Sequence, residues 1–370
     1  MVMEFKECKK LNDKQIEDLQ ISEYDKVKLI KQGDVYECKW SSVGIQSGEC
    51  YIQKLDKEHY MVKKTGEVKE YKSNTMEIDG KEKIVKMQKS LLRTFTRLRA
   101  LINTNFTMSD IENKKVLFLT LTYAEQVEGK AGNEKLLKDF NYFIKKLSRK
   151  YKEQGKPEYI NVVEPQASGR WHCHCLLKWS STAPFIPFDI LNDLWPHGYV
   201  KVNLVGHSQP NGQASNQIDN LGAYLTAYLT DLPIEDMTDR ELEMVSSQSP
   251  ESIVEKNGKK YVKGARLWMY SDSMKIYRCS QGIKQPQQTI VDYGLVQDMF
   301  KGCLTYQKCK EVIFEDIPPE DEQPANIPKE VIEAFQKEKG PQGMQHPGDP
   351  ALKSVFYLTQ YYNINRIKKQ

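Results

Sequence analysis

Trp171-His-Cys-His-Cys-Leu-Leu-Lys178 is the stretch on which the fold turns. In an extended chain, side chains alternate between faces, so His172, His174 and Leu176 share one side while Trp171, Cys173, Cys175 and Leu177 share the other. The residues just before it, Pro165-Gln-Ala-Ser-Gly-Arg170, carry strong turn chemistry, and Tyr159 to Glu164 reads as a strand, so the two strands form a hairpin. Further upstream, Val116-Leu-Phe-Leu-Thr-Leu-Thr122 is a compact apolar run that reads as a buried strand. From Glu134 to Tyr151, Leu136, Leu137, Phe140, Phe143, Ile144 and Leu147 recur at helical spacing with lysines elsewhere on the cylinder. Downstream, Pro187 opens a helix through Leu194, Tyr199 to Val205 is a short strand, and a polar loop leads to a helix from about Asn216 to Thr230. The order βαββαβα, with hairpin-linked strands, predicts an α+β fold in which helices cover a central antiparallel sheet.

The strand pairing has a chemical consequence. Two imidazoles project side by side, and a hairpin through Gly169 returns the chain so that the Glu164 carboxylate approaches the same point. Two histidines and one carboxylate form a ligand set that leaves coordination positions open for substrate or water. A zinc site that adds Cys173 and Cys175 is the rival, but in an extended strand those thiols point away from the imidazoles. They read better as small apolar fillers under a helix.

Composition bounds the remaining possibilities. The chain has 370 residues, 39% of them hydrophobic and 28% charged, and no apolar run near the roughly 18 residues of a membrane span. The segment Met1 to Lys10 has charges of both signs and no apolar core, so no secretory signal is expected and the cytoplasm is the default. The eight cysteines then read as reduced thiols. A net charge of +4 says little by itself, but its distribution is uneven. Lys81, Lys83, Lys86, Lys89, Arg93, Arg97 and Arg99 face a single Glu82, interleaved with apolar residues at helical spacing. This is the pattern of a helix with one buried stripe and a cationic flank, which either tracks phosphates or is simply solvated. The expected organisation is an N-terminal appendage over 1–80, the basic helix over 81–110 and a core over 111–290. A C-terminal region over 291–370 then carries an acidic, proline-containing linker and a short tail with Phe356, Tyr357, Tyr361 and Tyr362.

Leu221-Gly-Ala-Tyr-Leu-Thr-Ala-Tyr-Leu-Thr-Asp231 places Tyr224 and Tyr228 one helical turn apart on one face. Such pairs usually pack in a core, but a phenolate is also a competent nucleophile at phosphorus, and a divalent ion is the partner it needs. Taken together, Thr120-Leu-Thr122, Glu164 with His172-Cys-His174, and Tyr224 with Tyr228 resemble, in order and spacing, the three motifs of the HUH endonuclease superfamily. The likeness is greatest to the rolling-circle replication initiators (Rep proteins) of bacterial plasmids and phages. It extends over about residues 85 to 290, through Arg93-Thr-Phe-Thr-Arg-Leu-Arg99, Arg266-Leu-Trp-Met-Tyr270 and Tyr277-Arg-Cys-Ser-Gln-Gly-Ile-Lys284.

The resemblance implies a five-stranded antiparallel sheet with the tyrosine helix alongside, and Mg²⁺ or Mn²⁺ on Glu164, His172 and His174. It implies a nicking-closing enzyme that acts on single-stranded or supercoiled origin DNA through a 5′-phosphotyrosine, with Tyr224 and Tyr228 as nucleophiles. Arg93, Arg97, Lys259, Lys260, Arg266 and Arg278 are the expected DNA contacts, with Tyr270 and Tyr277 as stacking platforms. Family members commonly carry a lysine in the tyrosine motif; here Ala227 and Asp231 stand in that stretch, leaving Lys259, Lys260 or Lys263 to supply the charge. No G-x-x-x-x-G-K-[ST] loop is present, so unwinding and synthesis fall to a host helicase and DNA polymerase. A relaxase, a single-strand transposase and a catalytically inactive DNA-binding regulator of the same fold are the competing readings, as is a metal-dependent oxygenase.

Overall fold

The computed structural model describes residues 2–44, 52–56, 59–62, 66–70, 80–125, 129–165, 171–205, 221–222, 232–233, 253–256, 259–262, 275–317 and 352–365. Along the chain run β1 (Val2–Leu11), α1 (Asp13–Glu17), β2 (Lys26–Gln32), β3 (Val35–Ser41), β4 (Ile52–Lys54), β5 (His59–Val62), β6 (Val68–Glu70), α2 (Gly80–Asn105) and α3 (Met108–Glu112). Then follow β7 (Val116–Thr122), α4 (Gly129–Lys150), β8 (Glu158–Pro165), β9 (Trp171–Lys178), α5 (Phe188–Leu194) and β10 (Val200–Leu204). The remainder is β11 (Leu232–Pro233), β12 (Ile253–Lys256), β13 (Lys259–Val262), β14 (Tyr277–Cys279), β15 (Gln287–Asp292), α6 (Tyr293–Met299), β16 (Leu304–Ile317) and β17 (Leu352–Asn363). The fold is α+β, as the hydrophobic periodicity predicts.

Two compact units divide the chain. One combines Met1–Ile30, Tyr36–Glu49 and Gln288–Gln370; the other holds Lys31–Val35 and Cys50–Gln287. The first contains a six-stranded sheet in the order β1-β16-β17-β3-β2-β15. The regions 1–80 and 291–370, which read as separate appendages, thus contribute strands to one sheet. The aromatic segment read as a short tail is the strand β17, antiparallel to β16 from Leu304↔Tyr362 to Glu315↔Leu352. On one side, Val27, Leu29, Cys38, Trp40, Cys309, Leu358 and Tyr362 bury themselves with Ile16 of α1 and Val296 and Phe300 of α6.

The second unit is built on a five-stranded antiparallel sheet in the order β10-β7-β9-β8-β14. The predicted strands 116–122 and 171–178 match β7 and β9 to the residue. The sheet is apolar on both faces and has a separate core on each. Leu117, Leu119, Leu121, Cys173, Cys175, Leu177 and Val163 pack under α4 through Leu136, Phe140, Phe143, Ile144 and Leu147. On the other face, Val116, Leu176, Ile160 and Val162 meet Phe95, Leu98, Leu101, Ile102 and Phe106 of α2 and the segment that follows it. Each fully buried Leu or Phe contributes roughly 1.5–3 kcal/mol, so the two cores hold the sheet from both sides.

The basic helix expected over 81–110 stops at Asn105. The reason is local: Thr107 caps a new helix, α3, in a reciprocal capping box with Asp110. The end of α2 is also tied across the sheet edge. Asn105 donates from Nδ2 to the Lys284 carbonyl at 2.8 Å and accepts from the Lys284 N–H at 2.8 Å, which seats the segment after β14 against the helix.

Candidate metal centre

The central strand β9 pairs with β7 on one side and β8 on the other, and register fixes which residues share a face. His172 lies opposite Thr122 on β7 and Glu164 on β8; His174 lies opposite Thr120 and Val162. Because β-strand side chains alternate, Thr120, Thr122, Glu164, His172 and His174 all emerge on the α2 side of the sheet. One ligand atom each from Glu164, His172 and His174 lies within 4.8 Å of the others, and this is the metal-competent group found among the described residues. The geometry expected from the hairpin is therefore present.

Burial tunes the two imidazoles for coordination. Glu164 is 1% and His174 3% exposed, while His172 is half-buried and open to the site. Burial pushes the His174 pKa down to about 4, and burial, then the nearness of His174, pushes that of His172 down to about 4. Both imidazoles are therefore neutral near pH 7, with a lone pair to offer. His174 Nε2 meets the Glu164 carboxylate, and its Nδ1 lies 3.2 Å from Thr120 Oγ1. Phe118 stacks against the His174 ring, with centroids 5.6 Å apart and an angle of 3° between planes. With a cation bound, Nδ1–H would donate to Thr120 Oγ1 and leave the Nε2 lone pair to the cation. A carboxylate and two oriented neutral imidazoles fit a divalent cation.

The rival ligand set does not assemble. Cys173 and Cys175 are fully buried on the α4 face, and burial pushes the Cys173 thiol up to about 12 and raises that of Cys175. They serve the packing under α4.

Those of the other expected site residues that are described lie on different elements. Arg93 and Arg97 are exposed on α2. Arg97 lies near Tyr277 of β14, whose hydroxyl pKa is raised by burial against the opposing pull of that guanidinium. Arg278 pairs with Asn161 and so emerges on the α4 face of the sheet, away from the histidines; burial lowers its pKa. Lys259 and Lys260 lie on β13, with their side chains outside the described residues. Tyr224, Tyr228, Lys263, Arg266 and Tyr270 also lie outside them. The two residues described just before the tyrosines are informative. Leu221 is buried in the core between α2 and the sheet, and the Gly222 N–H donates to Asn103 Oδ1 of α2 at 2.9 Å.

Sequence reasoning missed Asn103, because a buried amide within an apolar helix stripe carries no local sign of a partner 119 residues away. It also missed the cluster at the end of β7. There the Tyr123 hydroxyl donates to Asp139 at 2.8 Å, Lys135 pairs with Asp139 at 2.6 Å, and His197 stands 3.6 Å from the same carboxylate. Trp195 donates from Nε1 to the Thr122 carbonyl at 3.1 Å, holding the strand that carries Thr120 and Thr122. The cluster borders a cleft of about 430 Å³ lined by Tyr123, Lys135, Asn192, Trp195 and His197.

Residues 116–232 match a family model described as Replication-associated protein ORF2. The matched span begins with β7, contains Glu164, His172 and His174, and includes Tyr224 and Tyr228. No curated protein and no solved structure matches the chain. Among the described residues, no helix is long and apolar enough to cross a membrane.

Proposed function

From the match of residues 116–232 to the replication-associated ORF2 family, we propose that the chain is a rolling-circle replication initiator of the HUH type, which nicks one DNA strand at an origin and later rejoins it. The observation that carries this reading is the Glu164, His172 and His174 group, three convergent ligands at the centre of the matched segment. These residues would hold Mg²⁺ or Mn²⁺, which when bound neutralises charge on the oxygens of the scissile phosphate. Thr120 and Phe118 keep the His174 ring in its ligating orientation, and Leu221 and Gly222, anchored on α2, lead into the segment bearing the nucleophiles.

In the first step the oxygen of Tyr224 or Tyr228 attacks the scissile phosphorus. A Tyr–O–P bond forms, the P–O3′ bond breaks, the phenolic proton passes to solvent and the leaving O3′ takes up a proton. The product is a 5′-phosphotyrosine and a 3′-OH that a host polymerase extends, with a host helicase unwinding ahead. The second tyrosine cuts the regenerated origin, and the 3′-OH so released attacks the first phosphotyrosine to close a circle. Each step exchanges one phosphodiester for another, so no nucleotide hydrolysis is required. Exposed Arg93 and Arg97 on α2 are suited to the phosphate backbone.

Incubation with a single-stranded origin oligonucleotide tests this directly. The expected result is an SDS-resistant adduct that EDTA abolishes and that Tyr224→Phe and Tyr228→Phe together eliminate. An adduct unaffected by EDTA overturns the metal's part, and one that survives the double substitution removes both tyrosines. A protein that binds origin DNA yet never nicks supercoiled plasmid is a regulator, not an initiator.

A further inference from the structure

In the unit formed by Met1–Ile30, Tyr36–Glu49 and Gln288–Gln370, α1 and α6 cover one face of the six-stranded sheet. Strand alternation puts Tyr306, Lys308 and Lys310 of β16 and Lys353, Tyr357 and Tyr361 of β17 on the opposite face. Cross-strand register places Tyr306 beside Tyr361 and Lys310 beside Tyr357. Tyr306 is 59% and Tyr357 43% exposed, and Lys308, Lys310 and Lys353 are all exposed. The Tyr306 and Tyr361 rings stack with centroids 5.9 Å apart at 29°, and Lys308 Nζ sits 5.7 Å from the Tyr361 centroid. Tyr361 is held in place by donating its hydroxyl to Glu37 of β3 at 3.1 Å. From Tyr306 to Phe314 on β16, and from Lys353 to Tyr361 on β17, the residues of this face include no carboxylate.

From the exposed rings interleaved with lysines we infer that this sheet face binds single-stranded DNA, on a different sheet from the one that carries the metal centre. The rings offer planes on which unpaired bases stack, and the lysines offer charge to the phosphates. Duplex DNA keeps its base faces stacked on one another, so it satisfies the lysines and leaves the tyrosines unused. An acidic peptide does the same. Binding itself does not depend on nicking; only its purpose, holding a displaced strand, rests on the proposed initiator function.

The test uses the full-length protein, a fluorescein-labelled dT30 and EDTA throughout, so that neither origin sequence nor metal chemistry enters. Anisotropy titrations over a series of KCl concentrations give affinity and salt slope. Lys308→Glu with Lys310→Glu is expected to weaken dT30 binding at least tenfold and to flatten the salt slope by about 1.4, two phosphate contacts at about 0.7 each. Tyr306→Ala with Tyr357→Ala is expected to weaken it by about 5- to 150-fold, the equivalent of about 1–3 kcal/mol for stacking one base, with little change in slope. Where charge reversal lowers the folded fraction by circular dichroism, Lys308→Gln with Lys310→Gln carries the same prediction. Photocross-linking of 5-iodouridine-substituted oligonucleotide is expected at Tyr306, Tyr357 or Tyr361. Unchanged affinity and slope in both double variants, or cross-links confined to residues 80–284, overturn the inference. So does competition in which polyglutamate or duplex DNA displaces dT30 as well as unlabelled dT30 does. Because dT30 carries no origin and EDTA withholds the metal, the adduct assay and these titrations read separate events, so failure of the nicking chemistry and failure of this surface give different results.

Discussion

Replacing Thr120 with valine removes one oxygen and keeps the shape of the side chain, so it isolates the support that His174 receives. Thr120 Oγ1 lies 3.2 Å from Nδ1 of an imidazole that is 3% exposed. Without metal the hydroxyl can donate to Nδ1 while Nε2–H faces Glu164. When Nε2 becomes a ligand, Nδ1 must carry the proton and donate it to Oγ1. In Thr120→Val that buried N–H loses its Oγ1 acceptor, at a cost of about 1–3 kcal/mol. The metal-free protein loses only an accepted bond at a ring nitrogen, so most of the cost falls on the metal-bound form. Loss of a partner to a ligating histidine typically weakens metal affinity by about 10- to 100-fold, or about 1.4–2.8 kcal/mol. Titration of Mn²⁺ by calorimetry should register that loss, while thermal unfolding in EDTA should move little and Thr120→Ser should restore binding. Thr120→Val binding Mn²⁺ as tightly as the parent protein would refute the argument that this hydroxyl sets the His174 tautomer.

Three further predictions concern the surrounding scaffold. Asn103→Ala removes the acceptor for the buried Gly222 N–H; it should cost about 1–3 kcal/mol in urea unfolding and slow adduct formation more than it weakens DNA binding. Gly198→Ala places a methyl group 2.2 Å from the Thr122 carbonyl oxygen, so β10 must shift from β7, and a lowered melting temperature with weakened Mn²⁺ binding is expected. For Asp139, burial works to raise the carboxyl pKa, but hydrogen bonds from Lys135 and Tyr123, with the charges of His197 and Lys135, outweigh it and leave it lowered. A lowered folded pKa means stability that is present above the unfolded value of about 3.9 and lost as pH falls through the folded one. Melting temperature measured from pH 7 down to pH 3 should therefore show an acid loss in the parent that is smaller in Asp139→Asn.

The site was legible because its determinants are local. Turn residues precede the strand 171–178, and strand parity alone puts His172 and His174 on one face. A hairpin of known direction then delivers Glu164, so the triad followed from about fifteen consecutive residues. Asn103, Trp195 and Asp139 were not legible, because each acts through a partner brought close only by the fold. The flanking unit was hidden for the same reason on a larger scale: β1 pairs with β16 through contacts such as Leu11↔Cys309, and neither strand marks the other. The acidic, proline-containing stretch after Glu315 also separates β17 from β16 in the sequence, so that Phe356, Tyr357, Tyr361 and Tyr362 resemble a tail when read without their partner strand.

That long-range pairing sets an order of events during synthesis. β1 is among the first segments made, yet its partner β16 emerges roughly 300 residues later, and at about 5–20 residues per second the wait is on the order of 15–60 s. The five strands of the sheet that carries Glu164, His172 and His174 are all translated by Cys279, ahead of β16 and β17. The nascent chain therefore has every strand of the candidate metal centre while β1 still lacks its partner. An early stop within β17 would remove a central strand of the flanking sheet yet leave Glu164, His172 and His174 in the product.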